Sequence, residues 1–170
     1  MTEVRATGVV LRRATAADAD AIAAAHIDSI RSIGPGFYPP QVVDAWAAGL
    51  TADVYVRAMN DGEAFFVATE PHDAKMVLGF STHRNDRGEH RTAVYVRGGA
   101  SRSGIGSALF ELAEGDVLAS GGTSIHIAAS LAAVDFYKAN GFEETARGEH
   151  RLRNGVMMAC VFMMKTLERR

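Results

Sequence analysis

The stretch VYVRGGASRSGIGSALF, residues 94–110, decides the fold because its pattern predicts a strand, a glycine-rich turn and an amphipathic helix in direct succession. Backbone N–H groups in the first turn of a helix lack partners, and the helix dipole adds about half a positive charge there. Gly104 and Gly106 carry no side chain that would block a phosphate. The stretch therefore predicts an anion-binding site at the start of the helix 104–119.

Two common phosphate-binding motifs do not account for this turn. A P-loop needs Lys followed by Ser or Thr after its closing glycine, whereas Ile105 and Gly106 follow Gly104. The dinucleotide fingerprint needs a third glycine where this chain has Leu109, and it should open an early parallel unit rather than follow antiparallel strands. The first motif is excluded and the second fits poorly.

Outward from this stretch, hydrophobic periodicity and turn residues predict alternating strands and helices. Before it we expect a strand at 8–14, helices at 16–33, 41–48 and 52–59, and antiparallel strands at 63–69, 76–84 and 90–97. After the helix 104–119 we expect a strand at 124–130, a helix at 131–139, and strands at 142–150 and 156–165. The strand after the crossover helix should have a parallel neighbour. This order predicts an α/β (α+β) fold, with a mixed, mostly antiparallel central sheet and helices on both faces.

The composition restricts the classes of function. The 170 residues are 48% apolar and 22% charged, which predicts one globular domain over residues 1–170. A formal net charge of -2 disfavours nucleic acid and membrane surfaces as partners, except at a local patch. No segment has the roughly 20 apolar residues that span a bilayer, and the first residues lack a signal-peptide pattern, so we expect a cytoplasmic protein.

The cysteine and histidine content predicts neither a disulfide nor a metal site. Cys160 is the one cysteine, and it lies in an apolar run where a buried small side chain is expected. The six histidines show no pair at metal-ligand spacing, so we predict that no metal is bound. His126 alternates with Ile125 and Ile127 on a central strand and is expected to be a core histidine.

Two segments resemble motifs of the GNAT acetyltransferase superfamily. Residues 101–106, SRSGIG, resemble its acyl-CoA pyrophosphate loop, whose signature is Gln or Arg, two free positions, Gly, one free position, and Gly or Ala. Ser101 departs from this signature at the first position, and Arg102 is the neighbouring cation. Residues 130–144, SLAAVDFYKANGFEE, are similar to a later motif of the superfamily that contains Phe-Tyr and then Gly-Phe. Ser130 stands where that motif frequently has Asn.

The resemblance, which extends from Val9 to Lys165, implies the GNAT acyl-CoA N-acyltransferase fold and acetyl-CoA as cosubstrate. It implies that the strand 92–96 diverges from the strand 124–128 and that the backbone of Val94 and Val96 pairs with the pantetheine arm. The implied cofactor contacts of the loop and the later motif are Ser101, Arg102, Ser103, Gly104, Ile105, Gly106, Ser107, Ser130 and Tyr137.

The implied reaction is direct transfer of the acetyl group to a primary amine of a small molecule or peptide. Tyr137 matches the superfamily tyrosine that faces the cofactor sulfur and is the expected general acid, and Val94 N–H is the expected donor to the carbonyl oxygen. His83 and His90 are the first candidates for the base, because they are expected beside the acceptor channel and a histidine accepts a proton near neutral pH. Glu89 is a third candidate, and proton loss through ordered water is the alternative to a dedicated base.

Acceptor specificity is expected from residues 26–46, including Phe37, Tyr38 and Trp46, and from the turn at 150–155. Aromatic walls would suit an amine with an apolar body, and Arg151 or Arg153 could pair with a substrate carboxylate. The alternative function is a non-catalytic acyl-CoA-binding or sensor module on the same fold, suggested by Ser101 and Ser130. A homodimer is compatible with the resemblance.

Overall fold

The computed structural model describes residues 4–6 and 8–168 of the chain. In these residues the strands are β1 (Val4–Ala6), β2 (Val9–Arg13), β3 (Ala64–Glu70), β4 (Asp73–Asp86), β5 (Glu89–Val96), β6 (Ser124–Ser130), β7 (Glu143–Arg151) and β8 (Met157–Thr166). The α-helices are α1 (Ala19–Ile33), α2 (Pro40–Ala47), α3 (Ala52–Asn60), α4 (Ile105–Ala119) and α5 (Val134–Ala139). None of the helices in the described residues is long and apolar enough to cross a membrane.

All the strands belong to one sheet, in the order β1-β2-β3-β4-β5-β6-β8-β7. Neighbouring strands are antiparallel except β5 and β6, which run parallel and share a single residue pair, Arg91 with His126. The parallel pair arises because α4 carries the chain back across the sheet between these two strands. The predicted mixed, mostly antiparallel sheet is confirmed, together with its parallel neighbour.

Helices cover both faces of the sheet, as the sequence predicts. The central strand β3 is buried on both sides, so its successive side chains enter two different cores. Phe65 and Val67 pack with Ile22 in the core under α1 and α3. Phe66 packs with Leu109 in the core under α4.

β4 extends further at both ends than the sequence pattern predicts. The pattern predicts a strand at 76–84, whereas Asp73 already pairs with Glu70 and belongs to β4. At the other end β4 continues past residue 84, because Asp86 pairs with Glu89. The two residues between them have φ angles of 53° and 95°, as a two-residue turn between twisted strands requires. Polar residues at both ends of β4 therefore continue its pairing with the neighbouring strands instead of forming loops.

Tyr38 fastens the connection between α1 and α2 to the sheet. Its buried hydroxyl donates to the carbonyl oxygen of Ala159 on β8 at 2.6 Å. It also accepts a hydrogen bond of 2.8 Å from the N–H of Leu131, which follows β6. One side chain thus joins the helical layer to two neighbouring strands.

Replacing Tyr38 by Phe should lower the free energy of unfolding by about 1 to 2 kcal/mol, because two partly buried backbone groups lose their partner. Urea unfolding of the variant and the parent protein measures the difference. Phe37→Leu is the matched control, since Phe37 is 51% exposed and its replacement should change stability by less than about 0.5 kcal/mol. Equal stability of Tyr38→Phe and the parent would contradict the assigned role.

Candidate active site

β5 and β6 separate after the pair of Arg91 and His126, and they leave a gap in the sheet. On its other edge β5 stays paired with β4, where Val94 lies opposite Ser81 and Val96 opposite Gly79. The edge of β5 that faces β6 therefore carries backbone groups without a strand partner from Thr92 onward among the described residues. The predicted divergence of 92–96 from 124–128 is confirmed.

The first turns of α5 bring Tyr137 to this gap. The N–H of Val94 donates to Tyr137 Oη at 3.2 Å. The ring packs edge-on against Phe136 and Phe142, with centroid distances of 5.1 Å and 5.2 Å. Burial raises the pKa of the Tyr137 phenol well above its usual value. The hydroxyl consequently keeps its proton at neutral pH and lies beside an unpaired strand edge.

The glycine-rich loop between β5 and α4 is held by one hydrogen bond to α1 and by two within the loop. The N–H of Gly98 donates to Asp28 Oδ1 at 2.9 Å, which ties the loop to α1. Ser101 Oγ donates to the carbonyl oxygen of Gly98 at 2.9 Å, and Ser103 Oγ donates to that of Ala100 at 2.5 Å. The two hydroxyl protons are thus used inside the loop. The hydrogen-bond donors left for an anion are backbone N–H groups and the guanidinium of Arg102.

These donors lie at the start of α4. Ala108 N–H makes the first helical bond of 3.1 Å to the carbonyl oxygen of Gly104, so the N–H groups of residues 105–107 have no acceptor within the helix. Arg102 is exposed in the loop just ahead, and it makes no hydrogen bond or ion pair with another described residue. The arrangement is a cradle for an anion, with one free guanidinium beside it.

The two glycines of the cradle serve different purposes. Gly104 has a φ of +83° and open space around the position of a Cβ atom, so it gives the backbone a left-handed turn at an accessible place. A Cβ atom at Gly106 would instead lie 3.0 Å from the ring of Phe136. Gly106 therefore allows α4 to pack closely on α5, a role that the motif alone does not reveal.

Ser107 and Ser130, the remaining predicted cofactor contacts, border the same region. Ser107 lies in the first turn of α4 and accepts a long hydrogen bond of 3.4 Å from Asn140 Nδ2. Ser130 is the last residue of β6, half-buried and paired with Cys160 on β8. Cys160 is buried, as predicted, and burial raises the pKa of its thiol.

His83 and His90 lie under α4, on the face of the sheet opposite the cavity described below. His83 Nδ1 is 2.6 Å from Asp116 Oδ2, and its Nε2 is 2.8 Å from His90 Nδ1. The two histidines are only 5% and 7% exposed, and burial lowers the pKa of His90. Side chains alternate along β4 and β5, so these two histidines, expected beside the acceptor channel, point away from this cavity.

Two further titratable residues, Glu89 and His126, lie close to each other. Glu89, the third base candidate, forms an ion pair of 2.7 Å with Arg91. The His126 side chain is 38% exposed, with Nδ1 3.8 Å from a Glu89 carboxylate oxygen, so the prediction of a core histidine is wrong. Ile125 and Ile127 fill the core on one face of β6, and alternation turns His126 to the other.

A cavity of about 440 Å³ lies against the α1 and α3 face of the sheet. Ala93 and Tyr95 line it on either side of Val94, whose N–H faces the gap, so the cavity and the gap meet at β5. Its aromatic walls comprise Trp46, Tyr55, Phe65, Phe80 and Tyr95. Its polar walls comprise His26, Glu63, Thr82, Arg84, His150, Arg151 and Arg153.

The expected acceptor segments contribute to this cavity in part. His26, Ala45 and Trp46 of the segment 26–46 line it, and so do residues 150–153 of the turn at 150–155. Phe37 and Tyr38 do not line it, since Phe37 is 51% exposed and Tyr38 binds the backbone of two strands.

Glu63 was not found by sequence reasoning, although it is the one carboxylate among the residues that line the cavity. Burial raises its pKa, and a hydrogen bond with Thr82 acts in the opposite direction. Its spacing of two residues from Phe65 was the available signal, because it places both side chains on one face of the strand predicted at 63–69.

His26, the first residue of the segment 26–46 from which acceptor specificity is expected, forms part of the cavity floor. Its Nδ1 lies 2.8 Å from Tyr55 Oη, and its ring lies 4.0 Å from that of Tyr95. Its Nε2 is buried without a hydrogen-bond partner among the described residues. Burial lowers the pKa of His26 to about 3, and the positive charge of Arg153 acts in the same direction. The ring is therefore neutral at physiological pH.

The divided sheet, the anion cradle ahead of α4 and the cavity beside β5 together define the acyl-CoA N-acyltransferase fold. Residues 37–167 match the family described as acetyltransferase (GNAT) domain, and the chain belongs to this family. The resemblance stated from the sequence is confirmed by this match. No match was found among functionally curated proteins.

Solved structures share the fold over nearly the whole chain. A GCN5-related N-acetyltransferase from Rhodopseudomonas palustris is 23% identical, with a TM-score of 0.82, covering 98% of this chain and 99% of its own. The PaiA N-acetyltransferase from Thermoplasma acidophilum, solved with coenzyme A, is 15% identical with a TM-score of 0.73 and coverage of 94% and 99%. A phosphinothricin acetyltransferase from Sinorhizobium meliloti, solved with acetyl-CoA, is 20% identical with a TM-score of 0.71 and coverage of 94% and 89%.

The buried neutral ring of His26 makes stability depend on pH. Its pKa is about 3 in the folded protein and about 6.5 in the unfolded chain, so the unfolded state takes up the proton first as the pH falls. The stabilisation is complete above about pH 6.5 and is lost toward pH 3, by about 1 kcal/mol per pH unit. His26→Phe should remove this component from urea unfolding measured between pH 7 and pH 5. Identical pH slopes for the variant and the parent would contradict the burial of a neutral His26.

Proposed function

We propose that this protein transfers the acetyl group of acetyl-CoA to a primary amine of a small molecule or peptide. The observation that carries the proposal is the meeting of Val94 N–H and the Tyr137 hydroxyl, at 3.2 Å, where β5 parts from β6. Membership of an acetyltransferase family supports it. The complexes of two structural neighbours with coenzyme A and acetyl-CoA support the choice of cosubstrate.

The residues present fit acetyl-CoA as the acyl donor. The N–H groups of residues 105–107 and the guanidinium of Arg102 suit the pyrophosphate, which carries negative charge. The unpaired edge of β5 at Val94 and Val96 suits the amide groups of the pantetheine arm, which pair with a strand as another strand would. Ser101, Ser103, Ser107 and Ser130 are proposed as contacts at the borders of this path.

Acetyl-CoA supplies a thioester, whose C–S bond breaks as the bond between the amine nitrogen and the acetyl carbon forms. Val94 N–H, which donates to Tyr137 Oη in the free protein, is proposed to donate instead to the carbonyl oxygen of the bound acetyl group, where negative charge develops. Tyr137 gives its proton to the departing sulfur and regains one from solvent. Transfer from a phenol of pKa about 10 to a thiol of pKa about 8.5 is uphill by roughly 2 kcal/mol in water. Burial raises the pKa of Tyr137, and burial of the departing thiolate raises the pKa of the thiol in the same direction.

Glu63 replaces His83 and His90 as the proposed acceptor of the amine proton. It lines the cavity that opens beside Val94, whereas the two histidines lie on the other face of the sheet. Burial raises the pKa of Glu63, which makes its carboxylate a better base than an exposed one. Ordered water is the proposed link between Glu63 and the amine.

Replacing Tyr137 by Phe should reduce kcat by about 100-fold, because the departing sulfur loses its proton donor. The affinity for acetyl-CoA should change by less than about threefold. Release of CoA thiol, with the best acceptor from a panel of amines, polyamines, amino acids and peptides, measures the rate. Unchanged turnover in Tyr137→Phe would remove Tyr137 from the mechanism. Acetyl-CoA binding without thiol release for any acceptor would instead favour the non-catalytic binding module.

Replacing Ser103 by Glu should weaken the binding of acetyl-CoA by about tenfold or more, because a carboxylate enters the anion cradle. Ser120→Glu is the matched control, since Ser120 caps the opposite end of the same helix, and it should keep the parent affinity. Calorimetric titration with acetyl-CoA gives the three dissociation constants. Equal affinities for both variants, or no binding at millimolar ligand, would contradict the proposed cradle.

A further inference from the structure

Four arginines surround the part of the cavity that lies toward α3. Arg84, Arg151 and Arg153 line the cavity of about 440 Å³. A second cavity of about 280 Å³ is lined by Arg57, Arg84 and Arg153, and it shares Glu63 with the first. The two cavities are therefore adjacent, and guanidinium groups are concentrated where they meet.

Positive charge exceeds negative charge at this place. Arg84 is neutralised by Asp86, at 2.7 Å. The carboxylates that line the two cavities are Asp61 and Glu63. Three guanidinium groups make no hydrogen bond or ion pair within the described part of the chain: Arg57, Arg151 and Arg153. This local excess stands out because the whole chain has a formal net charge of -2.

Arg153 lines both cavities. It lies in a turn closed by two backbone hydrogen bonds of 2.9 Å, from Leu152 N–H to Val156 and from Gly155 N–H to Leu152. Leu152 is buried and anchors this turn in the core below α2. The charge of Arg153 reaches the cavity floor, since it lowers the pKa of His26, second to burial.

We propose that the acceptor is a small amine that also carries a carboxylate, as an amino acid does, and that Arg153 binds that carboxylate. The proposal rests on the acetyltransferase function above and names its substrate class. A planar guanidinium without an internal partner matches a carboxylate with two parallel hydrogen bonds. The aromatic walls of Trp46, Phe80 and Tyr95 take the apolar body of the acceptor. The amine is then left to face the gap at Val94.

The same arrangement selects against acceptors with additional positive charge. A polyamine or a basic peptide would place a second cation beside arginines that already lack counter-ions, and like charges at that distance repel. Glu63 is the one carboxylate that lines both cavities, and a single carboxylate neutralises only one ammonium group.

The single tryptophan gives a test that does not need acetyl transfer. Trp46 is the only tryptophan in the chain and lines the cavity, so its fluorescence reports occupancy. Phenylalanine should change this fluorescence at a concentration at least about tenfold lower than phenylalaninamide, which lacks the carboxylate. Arg153→Gln should remove the difference. Arg147→Gln is the matched control, because Arg147 pairs with Glu144 and its side chain is 66% exposed, and it should behave as the parent.

Kinetics with acetyl-CoA give a second readout. Arg153→Gln should lower kcat/KM for carboxylate-bearing amines by about tenfold or more, mainly because KM rises. The value of kcat/KM for the matching carboxamides should stay unchanged. The proposal would be overturned if phenylalaninamide bound as tightly as phenylalanine or more tightly. It would also be overturned if the preference for phenylalanine survived Arg153→Gln, or if neither ligand changed the fluorescence. Failure of the acetyltransferase function would appear differently, as absent acetyl-CoA binding and thiol release with these fluorescence titrations unaffected.

Discussion

A backbone N–H that loses its strand partner inside a protein needs another acceptor, and the separation of β5 from β6 imposes this need on Val94. Tyr137 meets it from α5, which fixes where that helix docks and where the phenol lies. The same separation leaves a gap between the two strands, with the start of α4 on one face of the sheet and the aromatic cavity on the other. The Tyr137 hydroxyl therefore lies between these two parts of the molecule.

The sheet also separates two kinds of polar group. His83, His90 and Asp116 satisfy one another in a buried chain of hydrogen bonds under α4, so this network belongs to the packing of that helix. Thr82, which precedes His83, and its register partner Ala93 face the cavity instead. A shift of one residue along either strand would exchange the two sets. Strand register is thus as decisive for the site as residue identity.

Much of this architecture could be predicted, because the signals lie within short segments. The glycine turn before α4 and the Phe136-Tyr137 pair each carry their motif in a few neighbouring residues. The faces of His83 and His126 could not be predicted, since alternation gives the relative orientation of side chains but not which face holds the cavity. The position of Glu63 beside His26 and Arg153 could not be predicted, because the three residues converge only in the folded chain. Gly106 was assigned to ligand access, whereas its contact with Phe136 depends on how two helices pack.

The two hydrogen bonds of Tyr38 have a mechanical consequence for the aromatic cavity. The Tyr38 hydroxyl holds the connection before α2 against both Leu131 and Ala159, and α2 carries Trp46. An outward movement of α2 would break both hydrogen bonds at once. The opposite wall of the cavity is formed by α3 and the turn that bears Arg153. Widening of the cavity on the side of Trp46 therefore costs two hydrogen bonds that widening on the opposite side leaves intact.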